Sequence, residues 1–465
     1  MASQKNIVWV TLDSVRPDHT TMGGYERETT PNLAEIASGP SGQYFSRCFS
    51  SSTVTPISSG SILTGTHPTR HGLKVSNDYL PETLDTLPAL LNDCGYTTAG
   101  ISTNSYFSSG TGLNRGFDRF KLITGSTFLR EVPWRTTAKY ALNLWRHSSG
   151  IKKDTAKYAT PFVMNDILTR WLDEFAGEAE PFFIYAHYNE THRPYYPPAS
   201  YRDRFADGIE ATPGAAAQTA MDIHDKAHQL NADDTELDVR DRDSLVAMYD
   251  AELSYTDEMI GRLFDHLRSL DLDDTVFIVT ADHGELLGED GLFSHTLVLR
   301  DELIRVPFVT HGLTELAHQR DEPVQHIDFV RTLVEQADGR TDQFQGIDLS
   351  TDEREMVVSQ RVNDFEYYEK LNPEFDRSRF LEGVLTAFRN NRYKYVQGTD
   401  GAVLYELPDE TTDVSDRNPG LVDSFATRVE EFLSTDGRPV ETENDRESAM
   451  TEGMKRQLRD LGYLE

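Results

Sequence analysis

The chain has 465 residues, enough for one large hydrophobic core and a smaller second unit, because single cores stop growing at about 250–300 residues. Its 77 Asp and Glu residues outnumber its 45 Lys and Arg residues, which gives a formal net charge of −32. This charge argues against a nucleic-acid partner, since affinity for nucleic acid comes from neutralising phosphates. An acidic surface with more Arg than Lys is typical of halophilic proteins from a salt-rich cytoplasm.

The sequence contains no run of about 18 apolar residues. Its first residues, MASQKNIVWVTLD, lead from a short polar segment directly into a strand pattern. We therefore expect a cytoplasmic protein without an integral membrane segment. Cys48 and Cys94 are too few for a disulfide framework and are expected to be reduced and buried. None of these features determines the oligomeric state.

Four apolar runs rich in β-branched residues predict buried strands, at 6–13, 97–104, 181–188 and 275–284. Runs that are apolar at nearly every position are typical of strands covered on both faces of a parallel sheet. Amphipathic stretches lie between them, the longest at 244–270. This alternation predicts a three-layer α/β/α sandwich with a mostly parallel central sheet.

The composition and the pattern of apolar residues change at two places in the sequence. Residues 205–242 are rich in Ala and Asp and poorly patterned, which predicts a mobile acidic excursion. After about residue 345, short strand-like pieces precede a helical pattern, which predicts a smaller C-terminal α+β subdomain. We therefore expect a catalytic α/β domain at 1–345 and the subdomain at 346–465, with one more helix in 445–465.

Polar residues that suit a metal ion follow two of the predicted strands. Asp13 ends the first strand, and Asp282 and His283 end the fourth, before a glycine that permits a sharp turn. Because ligands of open α/β sheets bind beyond the carboxyl ends of the strands, these side chains are candidates for a divalent cation site. The alternative is that both stretches are ordinary turns in which these groups are hydrogen-bonded.

A cluster of hydroxyl groups precedes a predicted short helix. Thr55 and Pro56 come before ISSGSILTG, whose first turn would leave free N–H groups and a positive dipole end. Such a terminus favours a tetrahedral anion, and a hydroxyl placed there beside a cation would attack phosphorus or sulfur. The alternative is that these hydroxyls only cap the helix.

Three histidines accompany these stretches. His187 and His192 lie in AHYNETHRPYYPP, and His295 lies in GLFSHTLVLRDELIRVP. Imidazolium groups near the cation would neutralise ester oxygens or protonate a leaving group. The alternative for each is a structural hydrogen-bonding role.

The order of these stretches resembles the sulfatase family of the alkaline phosphatase superfamily. The matching segments cover nearly the whole chain and include TLDSVRPDHTTMGGYERETTPNLAEIA, LTGTHPTRHGL, HYNETHRPYYPP and TADHGELLGEDG. The resemblance implies an alkaline phosphatase-like fold with one or two divalent cations at the carboxyl edge of the sheet. It also implies a covalent nucleophile at a helix N-terminus that cleaves sulfate or phosphate esters.

Carried onto this sequence, the resemblance implies a role for each candidate. Asp13, Asp282 and His283 match metal ligands. His192 and His295 match the basic residues that hold the anion and the leaving group. His187 matches the upstream histidine of the HYxxxH loop and joins the candidate catalytic residues.

The nucleophile position departs from that of classical sulfatases, in which Cys or Ser becomes formylglycine nine residues before a TG pair. Counting back nine from Thr64 gives Thr55, so no formylglycine is expected and an unmodified Thr55 is implied as nucleophile and metal contact. With Ser14 replacing a second aspartate and His283 replacing an asparagine, the site looks like the single-metal site of the phosphoglycerol-transferase branch. The family implies calcium, whereas a histidine ligand makes manganese or zinc plausible.

The sequence therefore predicts a metal-dependent hydrolase of sulfate or phosphate esters. Its expected substrate is a small-molecule, glycan or lipid-headgroup ester. One alternative is a phosphodiesterase or phosphoglycerol-type headgroup transferase. A further alternative is a catalytically degenerate member of the family that only binds an anion.

Overall fold

The computed structural model describes residues 4–74, 79–148, 160–272, 274–314, 316–317, 320–440 and 450–460. The described residues form strands β1 Asn6–Leu12, β2 Gly42–Phe49, β3 Thr97–Ser102, β4 Arg119–Leu122, β5 Phe182–Tyr188, β6 Thr275–Ala281, β7 Leu286–Leu287, β8 Phe293–Ser294, β9 Arg305–His311, β10 Val324–Gln325, β11 Val357–Asn363, β12 Gly383–Arg389, β13 Tyr393–Gln397 and β14 Ala402–Glu406.

The same residues form helices α1 Pro31–Ser38, α2 Thr55–Thr64, α3 Pro68–His71, α4 Leu87–Asp93, α5 Phe128–Glu131, α6 Trp134–Leu142, α7 Leu144–His147, α8 Pro161–Phe175, α9 Pro213–Asp233, α10 Val239–Ser269, α11 Asp301–Ile304, α12 His326–Gln336, α13 Glu366–Leu371, α14 Pro419–Ser434 and α15 Glu452–Asp460. The helix expected near the C-terminus is α15; the rest of that prediction, 445–449 and 461–465, lies outside the described residues.

The central sheet has eight strands in the order β10-β2-β9-β6-β1-β5-β3-β4. The four strands predicted from apolar runs are β1, β3, β5 and β6, and they are mutually parallel neighbours. β9 is antiparallel to both β2 and β6. β2 and β9 escaped prediction because β2 is only partly buried and β9 contains a proline at its third position.

Two layers of helices cover the sheet. On one side α10 packs against α1 and α8, and α2 packs with α4 and α12 in a second group. The apolar stripe of α10 includes Leu253, Ile260 and Leu263, all fully buried. The predicted three-layer sandwich with a mostly parallel sheet is confirmed.

Within 205–242 the structure contains α9, where the sequence predicts a poorly patterned excursion. The mobility predicted for 205–242 stays a prediction, but the sequence did not indicate the helix at 213–233. The buried face of α9 is built mainly of alanines, including Ala216, Ala220 and Ala227, and it packs against α10. A stripe of such small side chains gives little contrast in hydrophobicity, so the helical period was not recognised.

The C-terminal part forms the predicted α+β subdomain, with β11–β14 in an antiparallel sheet and α14 against it. The domain boundary at 345 stays a prediction. Side chains on one face of β11 reach the larger domain: Ser359 Oγ donates a hydrogen bond to the Ser50 carbonyl at 2.6 Å, and Asn363 Nδ2 donates to the Leu297 carbonyl at 2.8 Å. The subdomain thus holds two loops at the carboxyl edge of the large sheet.

A buried ion cluster adds to this junction. Lys394 is 0% exposed and lies 3.2 Å from Asp301 and 2.5 Å from Glu410. Arg389 forms a second ion pair with Asp301 at 2.7 Å. Burial raises the pKa of Glu410 to about 8, while the charge of Lys394 acts in the opposite direction. The lysine therefore compensates carboxylates that have little access to water.

Replacing Lys394 with methionine is expected to lower the free energy of unfolding by about 3–5 kcal/mol, because Asp301 and Glu410 would lose the buried cation that they share. Denaturant unfolding of the variant and of the parent measures the difference. Arg392→Met is the matched control, since the Arg392–Glu406 pair is exposed, and it should leave the unfolding curve unchanged. Equal stability of the two variants would contradict the assigned role of Lys394.

The structure also bears on the expectations for a membrane-spanning segment and for the two cysteines. Among the described residues, no helix combines the length and apolar character that crossing a membrane requires. Both cysteines are free thiols, but only Cys48 is buried, and Cys94 is half-buried.

Candidate functional site

The register of the central strands brings polar residues to one edge of the sheet. Leu12, the last residue of β1, pairs with Tyr188 on one side and with Ala281 on the other. The next backbone N–H groups continue this alignment: Asp13 donates to the Tyr188 carbonyl at 2.9 Å, and Asp282 donates to the Leu12 carbonyl at 3.2 Å. The two aspartates therefore leave adjacent parallel strands at the same level.

Thr55 lies above this edge as the first residue of the fully buried helix α2. The cap residue is Val54, which has no side-chain capping bond, so Thr55 does not cap the helix. Its Oγ1 lies 3.3 and 3.4 Å from the two carboxylate oxygens of Asp13 and 3.2 Å from His283 Nε2. The hydroxyl thus faces the predicted metal ligands.

Asp13, Asp282 and His283 are completely buried, and each offers a ligand atom within 4.8 Å of the others. The Nδ1 atom of His283 lies 2.8 Å from the Gly284 carbonyl. Donation from Nδ1 to that carbonyl leaves Nε2 with a lone pair toward the aspartates. The three side chains therefore present two carboxylates and one imidazole nitrogen to a common point.

The hydrogen bonding of Asp282 is incomplete. Its Oδ1 accepts bonds from the backbone N–H groups of Ser14, at 3.2 Å, and His283, at 2.9 Å. Its Oδ2 is buried and accepts no hydrogen bond from the described residues. A buried carboxylate oxygen without a donor is costly, and a cation would satisfy it. The donor set therefore fits a divalent metal ion.

The pKa values of the two aspartates also favour a bound cation. Burial, followed by the negative charge of Asp13, raises the pKa of Asp282 to about 8. Burial also opposes ionisation of Asp13, but the nearby histidines, first His192 and then His187, hold its pKa below the usual range. Near neutral pH the pair therefore retains a proton unless a positive charge compensates both carboxylates.

His187, at the end of β5, contacts Asp13 directly. Its Nε2 lies 3.3 Å from Asp13 Oδ2, and Asn104 Nδ2 lies 3.4 Å from the same oxygen. Asn104 also donates a hydrogen bond to Asn189 at 2.9 Å. These contacts orient the carboxylate, which favours a positioning role for His187 over contact with a substrate.

His192 and His295 stand beside the metal candidates, together with a residue that the sequence analysis missed. Their ring centroids are 5.2 Å apart, and the His295 ring is 4.6 Å from that of His283. Glu285 completes a second buried group of possible ligands with these two histidines. Its Oε1 lies 3.2 Å from His295 Nδ1, and its Oε2 accepts a bond from Tyr195 at 3.2 Å. The sequence signal for Glu285 was its position directly after Asp-His-Gly.

The protonation of these histidines differs from the expected imidazolium form. Burial lowers the pKa of His192 to about 4 and that of His295 well below the usual range. The Nδ1 atom of His192 lies 2.7 Å from the Arg193 carbonyl, so its proton is held there. Both rings are therefore neutral near pH 7 in the protein alone, and a bound dianion would be needed to favour their charged forms.

Residues 5–339 match a family model described as Sulfatase. The chain belongs to the sulfatase family. The predicted membership in this family of the alkaline phosphatase-like superfamily is confirmed, and with it the prediction of a sulfatase-type ester hydrolase at the level of the family.

Similar proteins agree with this placement. The chain is 25% identical over 322 residues to the uncharacterized sulfatase YidJ of Escherichia coli (strain K12), an alignment that covers 66% of this chain and 63% of that protein. It is 25% identical over 446 residues to the choline-sulfatase of Rhizobium meliloti (strain 1021), covering 90% and 84%. The phosphonate monoester hydrolase of Agrobacterium radiobacter has the same fold, with a TM-score of 0.68, 19% identity, and coverage of 93% and 96%.

Proposed function

We propose that the protein hydrolyses sulfate or phosphate esters with Thr55 as the nucleophile. The observation that carries the proposal is the position of Thr55 Oγ1, within 3.4 Å of Asp13 and His283, at the N-terminus of α2. Membership in the sulfatase family and the fold shared with a phosphonate monoester hydrolase support an ester of a tetrahedral anion. The proposed substrates remain small-molecule, glycan or lipid-headgroup esters.

The proposed ligands of a divalent cation are Asp13, Asp282, His283 and the Thr55 hydroxyl. A cation bound there would supply Lewis-acid chemistry, by lowering the pKa of the hydroxyl and attracting an ester oxygen. The family favours calcium as the ion, while the imidazole nitrogen of His283 suits manganese or zinc. Because Thr55 is a threonine, no formylglycine is expected at this position.

In the proposed reaction, Thr55 Oγ1 passes its proton to solvent and attacks the sulfur or phosphorus atom. The bond from that atom to the leaving oxygen breaks, and the alcohol departs after taking up a proton. The positive end of the α2 dipole would stabilise the negative oxygens that remain. Attack by water then releases sulfate or phosphate and returns the hydroxyl to Thr55.

His192 and His295 are proposed to act on the side of the leaving group. Both rings are neutral in the protein alone, so each would gain charge only when the anionic ester is bound. His295 Nδ1 lies 3.2 Å from Glu285 Oε1. This contact orients the His295 ring and places a buried carboxyl group beside it. One of the two histidines would then protonate the departing oxygen.

A comparison of nitrophenyl sulfate, nitrophenyl phosphate and a bis-nitrophenyl phosphodiester, each with calcium, manganese or zinc, tests the proposal. An unmodified threonine favours the phosphorus esters, because formylglycine chemistry is not accessible to it. Activity on sulfate alone would refute that preference. Addition of glycerol as an acceptor separates hydrolysis from headgroup transfer, since a transferase would form a glycerol ester. No turnover of any ester, with metal bound, would indicate an anion-binding protein.

A further inference from the structure

Arg361 extends from β11 of the C-terminal sheet toward the candidate active site. The residue is only 8% exposed. Its Nη1 donates hydrogen bonds to Thr53 Oγ1 at 3.1 Å and to the His295 carbonyl at 3.0 Å. Its Nε donates to Asn363 Oδ1 at 2.7 Å. One guanidinium thus contacts the loop before Thr55 and the loop that carries His295.

Among the described residues, no acidic side chain pairs with the positive charge of Arg361. All three of its acceptors are neutral, and no described carboxylate forms an ion pair with it. Two other arginines of the C-terminal part differ: the half-buried Arg354 pairs with Asp328, and the buried Arg389 pairs with Asp301. Burial lowers the pKa of Arg361 to about 10, so the side chain is still a cation near neutral pH. Burying an unpaired charge costs free energy, and a bound anion would reduce that cost.

One end of the guanidinium, Nη2, has no described hydrogen-bond acceptor. This atom donates no hydrogen bond within the described part of the chain, yet it is not among the fully enclosed polar atoms. Thr53 lies two residues before Thr55, and the His295 ring is 4.6 Å from His283. Through its contacts with Thr53 and the His295 carbonyl, Arg361 therefore lies beside the group that would hold the reacting sulfur or phosphorus atom.

We propose that Arg361 binds a second anionic group, carried by the alcohol part of the substrate. The preferred substrate would be an ester whose leaving group itself bears a carboxylate, sulfate or phosphate. The N–H groups of Nη2 are the donors that the described hydrogen bonds of Arg361 leave for such a group. The inference rests on the proposed ester hydrolysis, and it narrows the substrate class.

Matched ester pairs test this inference. The metal-loaded enzyme is assayed with phenyl and 4-carboxyphenyl esters of both sulfate and phosphate. We expect kcat/KM to be about 10- to 100-fold higher for the carboxylated ester, the range typical of a hydrogen bond to a charged group. In Arg361→Met this ratio should fall to near 1, and Arg361→Lys should retain part of it. An unchanged ratio in Arg361→Met would overturn the proposal.

Ser359→Ala is the matched control, because Ser359 lies on the same face of β11 and also holds the loop before Thr55, but carries no charge. It should lower the rates of both esters by the same factor and leave their ratio intact. A collapse of the ratio in Ser359→Ala as well would mean that Arg361 only supports the loop.

Binding measurements separate this inference from the proposed function. Calorimetry compares 4-hydroxybenzoate with phenol as ligands of the metal-loaded protein. Tighter binding of 4-hydroxybenzoate that is lost in Arg361→Met supports the anion subsite even if no ester is hydrolysed. Equal binding of the two ligands to the parent protein would contradict the subsite while leaving ester hydrolysis intact.

Discussion

Replacing Thr55 with alanine is expected to reduce kcat for any accepted ester by at least about 10⁴-fold, because the proposed covalent step loses its nucleophile. Thr55→Ser keeps a hydroxyl at the same position and should retain activity within about 100-fold of the parent. Initial rates with nitrophenyl sulfate and nitrophenyl phosphate measure both effects. Full turnover of these esters by Thr55→Ala would exclude Thr55 as the nucleophile.

A threonine at the other end of the same helix serves as the control. Thr64 is also fully buried, but its hydroxyl bonds to the Gly60 carbonyl at 2.7 Å, away from the metal candidates. Thr64→Ala should reduce stability without a comparable loss of kcat. A loss of kcat as large as that of Thr55→Ala would show that any cavity in α2 disables the site.

Replacing Asp13 with asparagine is expected to abolish metal binding and, with it, ester hydrolysis. The change removes one of the two carboxylates that compensate the ion, and an amide is a weaker ligand for a divalent cation. Elemental analysis of the purified variant should find metal well below one equivalent, and added metal should no longer raise its melting temperature. Asp290→Asn is the control, since Asp290 is an exposed carboxylate between β7 and β8 that pairs with Arg300 and is outside the proposed ligand set. Full metal content in Asp13→Asn would refute the assigned ligand set.

The same site predicts how metal affinity varies with pH. The pKa of Asp282 is raised to about 8 in the metal-free protein, so a bound ion must displace its proton at lower pH. Affinity should therefore rise about tenfold per pH unit from pH 6 to 8 and level off above pH 8. Calorimetric titration at several pH values measures this slope and the proton released. A flat profile over that range would contradict the shared proton of the aspartate pair.

Much of the fold was predictable because buried parallel strands leave a local pattern. The apolar runs that became β1, β3, β5 and β6 are visible without any knowledge of their neighbours. The alternation of such runs with amphipathic stretches then indicates the layers. By contrast, β9 lies antiparallel between β2 and β6, and this arrangement depends on contacts between segments far apart in sequence. Helix α9 was missed for a related reason, since its alanine face is recognisable only when packed against α10.

The candidate site, like the fold, was predictable only in part. The sequence by itself determined which polar residues end the strands, and hence that Asp13, Asp282 and His283 reach one edge of the sheet with Thr55 at the start of a helix. Only the tertiary structure decided how these groups are charged, because burial and mutual distance set the pKa of Asp282 and keep His192 and His295 neutral.

Glu285 and Arg361 were not predicted from the sequence. Glu285 directly follows the Asp-His-Gly turn but was not among the candidates, and Arg361 belongs to no chemical pattern and is 66 residues from His295 in sequence. The packing of β11 against the loops of the larger domain brings this unpaired cation to the site. A charge at that distance along the chain acquires a function only through the fold, because electrostatic interaction depends on separation in space and on exclusion of water.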